Sequence, residues 1–174
     1  MILDIARLML FPALMAFAAA SDLFTMTIPN RVSLGLLAGF MLLAPLTGMS
    51  VHDMLSHAGA GALVLVVSFA MFAMGWIGGG DAKVAAAAAL WFGFDHLLNF
   101  LVYASVLGGA LTLLLLQLRQ WPLPYPLVSQ AWLARLHDKQ TGIPYGIALA
   151  LGALLAYPDT DWIKTIDLAH LAMR

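Results

Sequence analysis

The chain has 174 residues, 63% of them hydrophobic and only 10% charged, with a net charge of −1 and a mean hydropathy of +0.93. Soluble domains carry about 25% charged residues and about 45–50% apolar ones, so a monomeric cytosolic domain and a disordered chain are both excluded, as is a nucleic-acid partner, which needs a basic face. With no cysteine, a disulfide scaffold, an iron–sulfur cluster, a Cys-ligated zinc and a thiol nucleophile are excluded too, and what remains is a small polytopic protein of the lipid bilayer.

A spanning helix needs about 20 mostly apolar residues. The first such stretch is 3–20, with Asp4 and Arg7 at its outer end. Ala18-Ala19-Ala20 resembles a signal cleavage site, but Asp4 spoils a positive n-region and further spans follow, so the helix is read as retained. The second, 31–48, opens just after Pro29, which suits a helix start. The third is 58–77. The fourth, 82–94, carries the alanine run Ala85–Ala89 and is short, as a span that starts inside the protein would be. Small residues here, and Gly35 with Gly39 on the second helix, allow close backbone approach. The fifth is 97–118 and the sixth 143–157. The expected fold is all-α: six transmembrane helices in a single membrane domain over 1–174.

The loops holding Arg31, then Lys83, then Arg119, Arg135 and Lys139 fall on one side. Those at 50–57 and 95–96 have no Lys or Arg. The positive-inside rule therefore places the basic loops in the cytoplasm and the termini outside, against the weaker opposing pull of Arg7, Lys164 and Arg174. Within the cytoplasmic interfacial loop 119–142, Trp121-Pro122-Leu123-Pro124-Tyr125-Pro126 is rigid and aromatic. Trp132, Leu133 and Leu136 then follow at helical spacing. The segment reads as a headgroup-level anchor, with a lid beside a site as the alternative. The tail 158–174, with Trp162, Ile163, Ile166, Leu168 and Ala169 among polar residues, reads as an amphipathic helix on the outer surface.

All nine acidic residues are Asp. Asp53, Asp95, Asp159 and Asp161 fall in outer loops or the tail, Asp138 in the basic loop, and Asp4 and Asp167 near the termini, where Asp caps helices or stays solvated. Asp22 and Asp81 differ. Asp22 follows the first helix inside Ser-Asp-Leu-Phe-Thr-Met-Thr-Ile-Pro-Asn. Asp81 ends Gly78-Gly79-Gly80-Asp81, where three glycines permit unusual backbone and close approach. Irregular backbone at membrane depth survives only where protein buries it or a wet cavity accepts it, and a carboxylate there points to function. Both lie at cytoplasmic helix ends and are able to meet. On spacing alone the bland alternative stands level: Asp81 caps the fourth helix, and Asp22 is satisfied by Thr25 or Thr27.

Asp22, five residues, then Ile28-Pro29-Asn30, with Gly78-Gly79-Gly80-Asp81-Ala82-Lys83 and a late Gly142-Ile143-Pro144-Tyr145-Gly146-Ile147-Ala148, resembles the type IV prepilin peptidases, the GxGD intramembrane aspartic proteases. The likeness runs from the first helix to the sixth. It implies Asp22 and Asp81 as the catalytic pair, and Ile28, Pro29, Asn30, Gly78, Gly79, Gly80 and Lys83 as motif positions. It also implies prepilin or pseudopilin substrates, whose basic leader is clipped after a glycine at the cytoplasmic face of the bacterial inner membrane. Many members add an N-terminal region with Cys-x-x-Cys pairs and N-methyltransferase activity. This chain has no cysteine and its first helix starts at once, so the resemblance is to the short, peptidase-only form of tight-adherence (Flp-type) pilus systems. Where members often carry arginines, it has Leu23-Phe24-Thr25-Met26-Thr27.

Two carboxyl groups in a partly dehydrated site cannot both ionise cheaply, so the pair shares a proton. The ionised member activates water, and the protonated one polarises the scissile carbonyl and returns a proton to the leaving amine. Such a pair titrates jointly, so acid and base are not divided between Asp22 and Asp81. This chemistry needs no cofactor and no metal. Asn30 and the glycine backbone are candidates for orienting the pair or holding substrate. Lys83 either sits near Asp81 or snorkels to the headgroups. His52, His57, His96, His137 and His170 form no metal pattern, and no Gly-x-Ser-x-Gly elbow is present. A proton- or ion-coupled carrier using the Asp pair as a relay is the alternative function, although no internal repeat of the kind common in carriers is seen. A non-catalytic membrane scaffold is the third.

Overall fold

The computed structural model describes residues 1–166, and these are helical, with no strand. In chain order the elements are α1 (Ile2–Thr25), α2 (Asn30–Leu46), α3 (Val51–Ala73), α4 (Gly79–Leu118), α5 (Tyr125–Val128), α6 (Ala131–His137), α7 (Tyr145–Ala156), a 3₁₀ turn (Tyr157–Asp159) and α8 (Asp161–Lys164). Among them α1, α3 and α4 are long and apolar enough to cross a membrane, while α2 and Tyr145–Asp159 are shorter apolar helices. Residues 167–174 lie outside the described residues, and with them Leu168 and Ala169 of the expected amphipathic tail and the terminal Asp167, His170 and Arg174.

Several boundaries differ from the sequence expectation for identifiable reasons. Helix α1 runs past residue 20 to Thr25 and stops where Met26 turns left-handed (φ 55°), its N–H donating to the Asp22 carbonyl. Asp22 is thus in the last helical turn, not in the loop beyond. Helix α3 starts at Val51 rather than 58, because Ser50 and Asp53 form a capping pair: the Ser50 hydroxyl accepts from the Asp53 N–H at 3.1 Å and donates to its carboxylate at 2.7 Å. His52, Asp53 and His57, expected in an outer loop, therefore lie on a helix.

The largest difference is α4. The expected loop at Asp95–His96 does not exist; the two stretches join through one non-helical residue, Gly93 (φ 59°, ψ −176°). Asp81 and Ala85 before the break line one cavity with Ala104, Ser105 and Gly108 beyond it, so the two limbs run side by side in opposite directions. That backbone conformation is essentially glycine-only. The space is also taken, since a Cβ on Gly93 would lie 2.8 Å from His57 Nε2. His57 is held there by its Nδ1 contact to the Leu90 carbonyl (2.8 Å) and by stacking on Phe40 at 5.5 Å.

At this end of the bundle lies an aromatic core. Phe11, Phe40, Trp91, Phe92 and Phe100 are fully buried, with Phe11 stacked on Tyr157 at 4.5 Å. Trp162 packs 4.8 Å from Trp91 and donates its indole N–H to the Trp91 carbonyl (2.8 Å). Its side chain, expected on an outer surface, is instead a core residue, because the turn at Tyr157–Asp159 folds α8 back over the bundle. Arg7 clamps the same region, donating to the Asp161 carbonyl (3.0 Å) and the Thr165 hydroxyl. Helix α3 packs chiefly on α4, which leaves a groove along each flank of that contact.

Gly93→Ala is expected to lower the stability of the purified protein by about 1–3 kcal/mol, read as a drop in thermal unfolding temperature in detergent. Adding His57→Ala should recover only part of the loss, because removing the overlap leaves the backbone cost in place.

Candidate active site

At the opposite end of the bundle, α1 finishes, α4 begins and α7 begins. Asp22 is on the final turn of α1, and its side chain is turned inward, leaving the residue 5% exposed. The neighbouring hydroxyls do not satisfy it. Thr25 donates to the Ser21 carbonyl (2.7 Å), Ser21 to the Thr27 carbonyl (2.8 Å), and Thr25 and Thr27 pair at 2.8 Å. These groups close the turn among themselves. The Asp22 carboxylate accepts instead from the backbone N–H of Gly146, the second residue of α7, at 2.8 Å.

That bond constrains its donor. A Cβ on Gly146 would lie 2.8 Å from the Asp22 carboxylate oxygen and 2.6 Å from Ile28 Cδ1. Ile28 also covers Gly80, whose Cβ would lie 3.4 Å from Ile28 Cβ. The isoleucine of Ile28-Pro29-Asn30 thus sits between Gly80, the second residue of α4, and Gly146, the glycine that holds Asp22. Pro29 is the N-cap of α2, in extended backbone, which carries the chain from one helix to the next.

Asp81 is the third residue of α4, after N-cap Gly78 and Gly79-Gly80. Its carboxylate turns back over the cap, so that a Cβ on Gly78 would lie 3.0 Å from its Oδ2. This is the position from which an acid serves a helix N-terminus, and it is also the wall of a cavity. Asp22 and Asp81 line one cavity of about 550 Å³ together with Met26, Gly75, Trp76, Arg119 and Tyr145. The glycines therefore serve both uses: they cap the helix through Asp81 and clear the space in front of it.

Two expected positions fall elsewhere. Lys83 donates to the Asn30 side-chain oxygen at 3.0 Å, and both line the groove between α2 and α3, away from the carboxylates. An α-helix turns about 100° per residue, so a side chain two places on faces the opposite flank; Lys83 is not the partner of Asp81. Among the described residues no group of three or more metal-ligating side chains converges.

Sequence reasoning missed two contributors. Gly146 was visible only as part of the late Gly142–Ala148 patch; its N–H and missing Cβ become functional once α7 packs on α1. Arg119, a loop charge by sequence, is 7% exposed and lines the same cavity. It donates to the Leu136 carbonyl (2.9 Å) and the Gly142 carbonyl (2.9 Å), tying the loop between α4 and α7 over the site. Arg135 fixes the other edge by donating to the Phe24 carbonyl (2.8 Å), with Trp132 edge-on to Phe24 at 5.5 Å. The segment is thus pinned to the ends of α1, α4 and α7.

The type IV leader peptidase family matches residues 9–113. A prepilin leader peptidase/N-methyltransferase of Bacillus subtilis (strain 168) is 32% identical over 158 residues, 89% of this chain and 56% of that protein. Another, of Pectobacterium carotovorum subsp. carotovorum, is 31% identical over 118 residues, 65% of this chain and 42% of its own. The chain spans about half the length of these curated relatives. No solved structure matches it.

Gly146→Ala should destabilise the purified protein by about 1–3 kcal/mol through forced separation of α1 and α7, read by thermal unfolding in detergent. Arg119→Met is expected to release the segment 120–141, seen as faster limited proteolysis there than in the parent. Arg119→Lys should show the same direction, since an ammonium lacks the planar fork that reaches both carbonyls.

Proposed function

The chain belongs to the type IV leader peptidase family, and we propose that it is a membrane-embedded aspartic endopeptidase that removes the leader of Flp-like prepilins at the cytoplasmic face of the bacterial inner membrane. The observation that carries this reading is the convergence of two aspartates, from α1 and from the glycine-marked start of α4, on one cavity.

Asp22 and Asp81 share one proton between them. The ionised carboxylate takes a proton from a water molecule, whose oxygen attacks the scissile carbonyl carbon. The protonated carboxyl donates to the carbonyl oxygen as the tetrahedral intermediate forms. Collapse of the gem-diol intermediate breaks the C–N bond: the leaving amine receives a proton from the pair, and one hydroxyl of the intermediate returns its proton to the pair as the new carboxyl group forms. The Gly146 N–H fixes the orientation of Asp22, so one carboxylate oxygen is held while the other remains for proton transfer. Arg119, its guanidinium engaged by the Leu136 and Gly142 carbonyls, holds the segment before α7 in place at the cavity.

We read six spans in this chain by counting the limbs of α4 separately: α1, α2, α3, the two limbs of α4, and α7. The first limb, from Gly79 to the break at Gly93, rises about 21 Å, short of the roughly 30 Å hydrocarbon core. Its polar start therefore sits at membrane depth, inside protein, where the peptide bond is reached. Arg31, Lys83, Arg119, Arg135 and Lys139 all fall at the end of the bundle that carries the aspartates, which supports a cytoplasmic site.

Asp22→Asn and Asp81→Asn are each expected to slow trimming of a co-expressed Flp-type prepilin by about 10³-fold or more, with membrane insertion unchanged. The readout is the ratio of precursor to mature pilin on a gel. Normal trimming by either variant would remove that aspartate from the dyad.

A further inference from the structure

Because α3 packs chiefly on α4, each of its flanks is open. The groove on the α2 side is lined by Leu34, Leu37, Met41 and Leu65 and carries Lys83 and Asn30 at one end. The groove on the α7 side has a volume of about 580 Å³ and runs between α3, the second limb of α4 and α7. The two are not equivalent. Only the α7-side groove reaches a catalytic candidate, since Trp76, Ile77, Asp81 and Tyr145 line both it and the cavity that holds the aspartate pair.

We propose that this second groove seats an apolar helical segment of the substrate, with the adjoining polar segment entering the aspartate cavity and the scissile bond at their junction. The inference rests on the peptidase reading above and adds where the substrate lies. Three features carry it. Continuity is the first, since a chain lying in the groove passes Asp81 without crossing any helix. Composition is the second: the groove wall is apolar, with Leu63, Val67, Met71, Leu97, Leu101 and Leu149, whereas the aspartate cavity carries Arg119 and Thr141. Depth of approach is the third. Ala104, Ser105, Gly108, Gly109 and Ala148 line it, and a Cβ on Gly109 would meet nothing within 4 Å, so a second backbone can come close, as at membrane helix contacts. A segment at this depth satisfies its own backbone groups only as a helix. From Leu97 to Gly109 the groove runs about 18 Å along α4, enough for roughly twelve helical residues.

The test uses the full chain in proteoliposomes with a prepilin carrying a basic leader followed by about 20 apolar residues. Gly109→Phe, at a position where a Cβ meets nothing within 4 Å, projects a ring into the groove and is expected to raise KM by about tenfold or more, the equivalent of one displaced apolar side chain. Ala62→Phe, in the α2-side groove, should leave KM within about twofold, a change of less than half a kcal/mol. Independently, a photoreactive residue at position 109 of the Asp81→Asn chain should cross-link to the apolar segment of the prepilin, and one at position 62 should not. Equal yields from the two positions would overturn the proposal and leave the groove to lipid acyl chains, whether or not the chain cleaves. Strong cross-linking at 109 from a chain whose parent cleaves nothing would keep the groove and overturn the peptidase reading.

Discussion

The hydrogen bond from the Gly146 N–H to the Asp22 carboxylate joins the end of α1 to the start of α7, and the architecture of the site depends on it. Burying a carboxylate in a membrane protein is costly unless donors meet it. Here the donor is backbone, reached because Gly146 carries no side chain. The same economy of volume recurs along α7, where a Cβ on Gly152 would lie 2.5 Å from the Ala104 nitrogen. Small residues draw α7 against α4 and α1, and that closeness places Tyr145, Gly142 and the Arg119-tied loop around the aspartates. The opposite end is built differently. Large aromatic rings, Arg7 and Trp162 pack it around a cavity of about 250 Å³, less than half the volume of the one at the aspartate end.

The position of α3 is the second consequence. A helix attached to the bundle chiefly through α4 leaves two clefts, and helical geometry assigns their character. Asp81 and Lys83, two residues apart, face opposite flanks of α4, so a carboxylate opens onto one cleft and an ammonium onto the other. A site that hydrolyses a peptide within a membrane needs water and a polar chain on one side and an apolar helix on the other. The α7-side cleft, meeting the aspartate cavity at Asp81, has that layout.

Much of this was legible in the sequence. With 10% charged residues, each acid could be weighed singly, and Asp22 and Asp81 stood out by their glycine and proline neighbours; the helical stretches followed from apolar runs. What was not legible depends on contacts between distant segments. Gly93 looked like any glycine in an apolar run, because its glycine-only backbone is imposed by the fold-back of α4 rather than by its neighbours in the sequence. The α3 start was misplaced because a capping pair at Ser50 and Asp53 outweighs the polar look of residues 50–57. Trp162 looked like a surface residue until the chain turned back over Trp91. Lys83 looked like a neighbour of Asp81 in the sequence and is not one in space. Gly146 showed no chemistry of its own, since its contribution is a backbone N–H.

The central claim is that residues 22 and 81 face each other across one cavity, and the cysteine-free chain permits a direct measurement. Asp22→Cys combined with Asp81→Cys, treated in membranes with a short bifunctional thiol reagent and then cut between α3 and α4, should leave the two fragments joined in high yield. The matched pair Asp22→Cys with Lys83→Cys should not. Equal joining in both pairs, or none between positions 22 and 81, would contradict the shared cavity and with it the aspartate dyad.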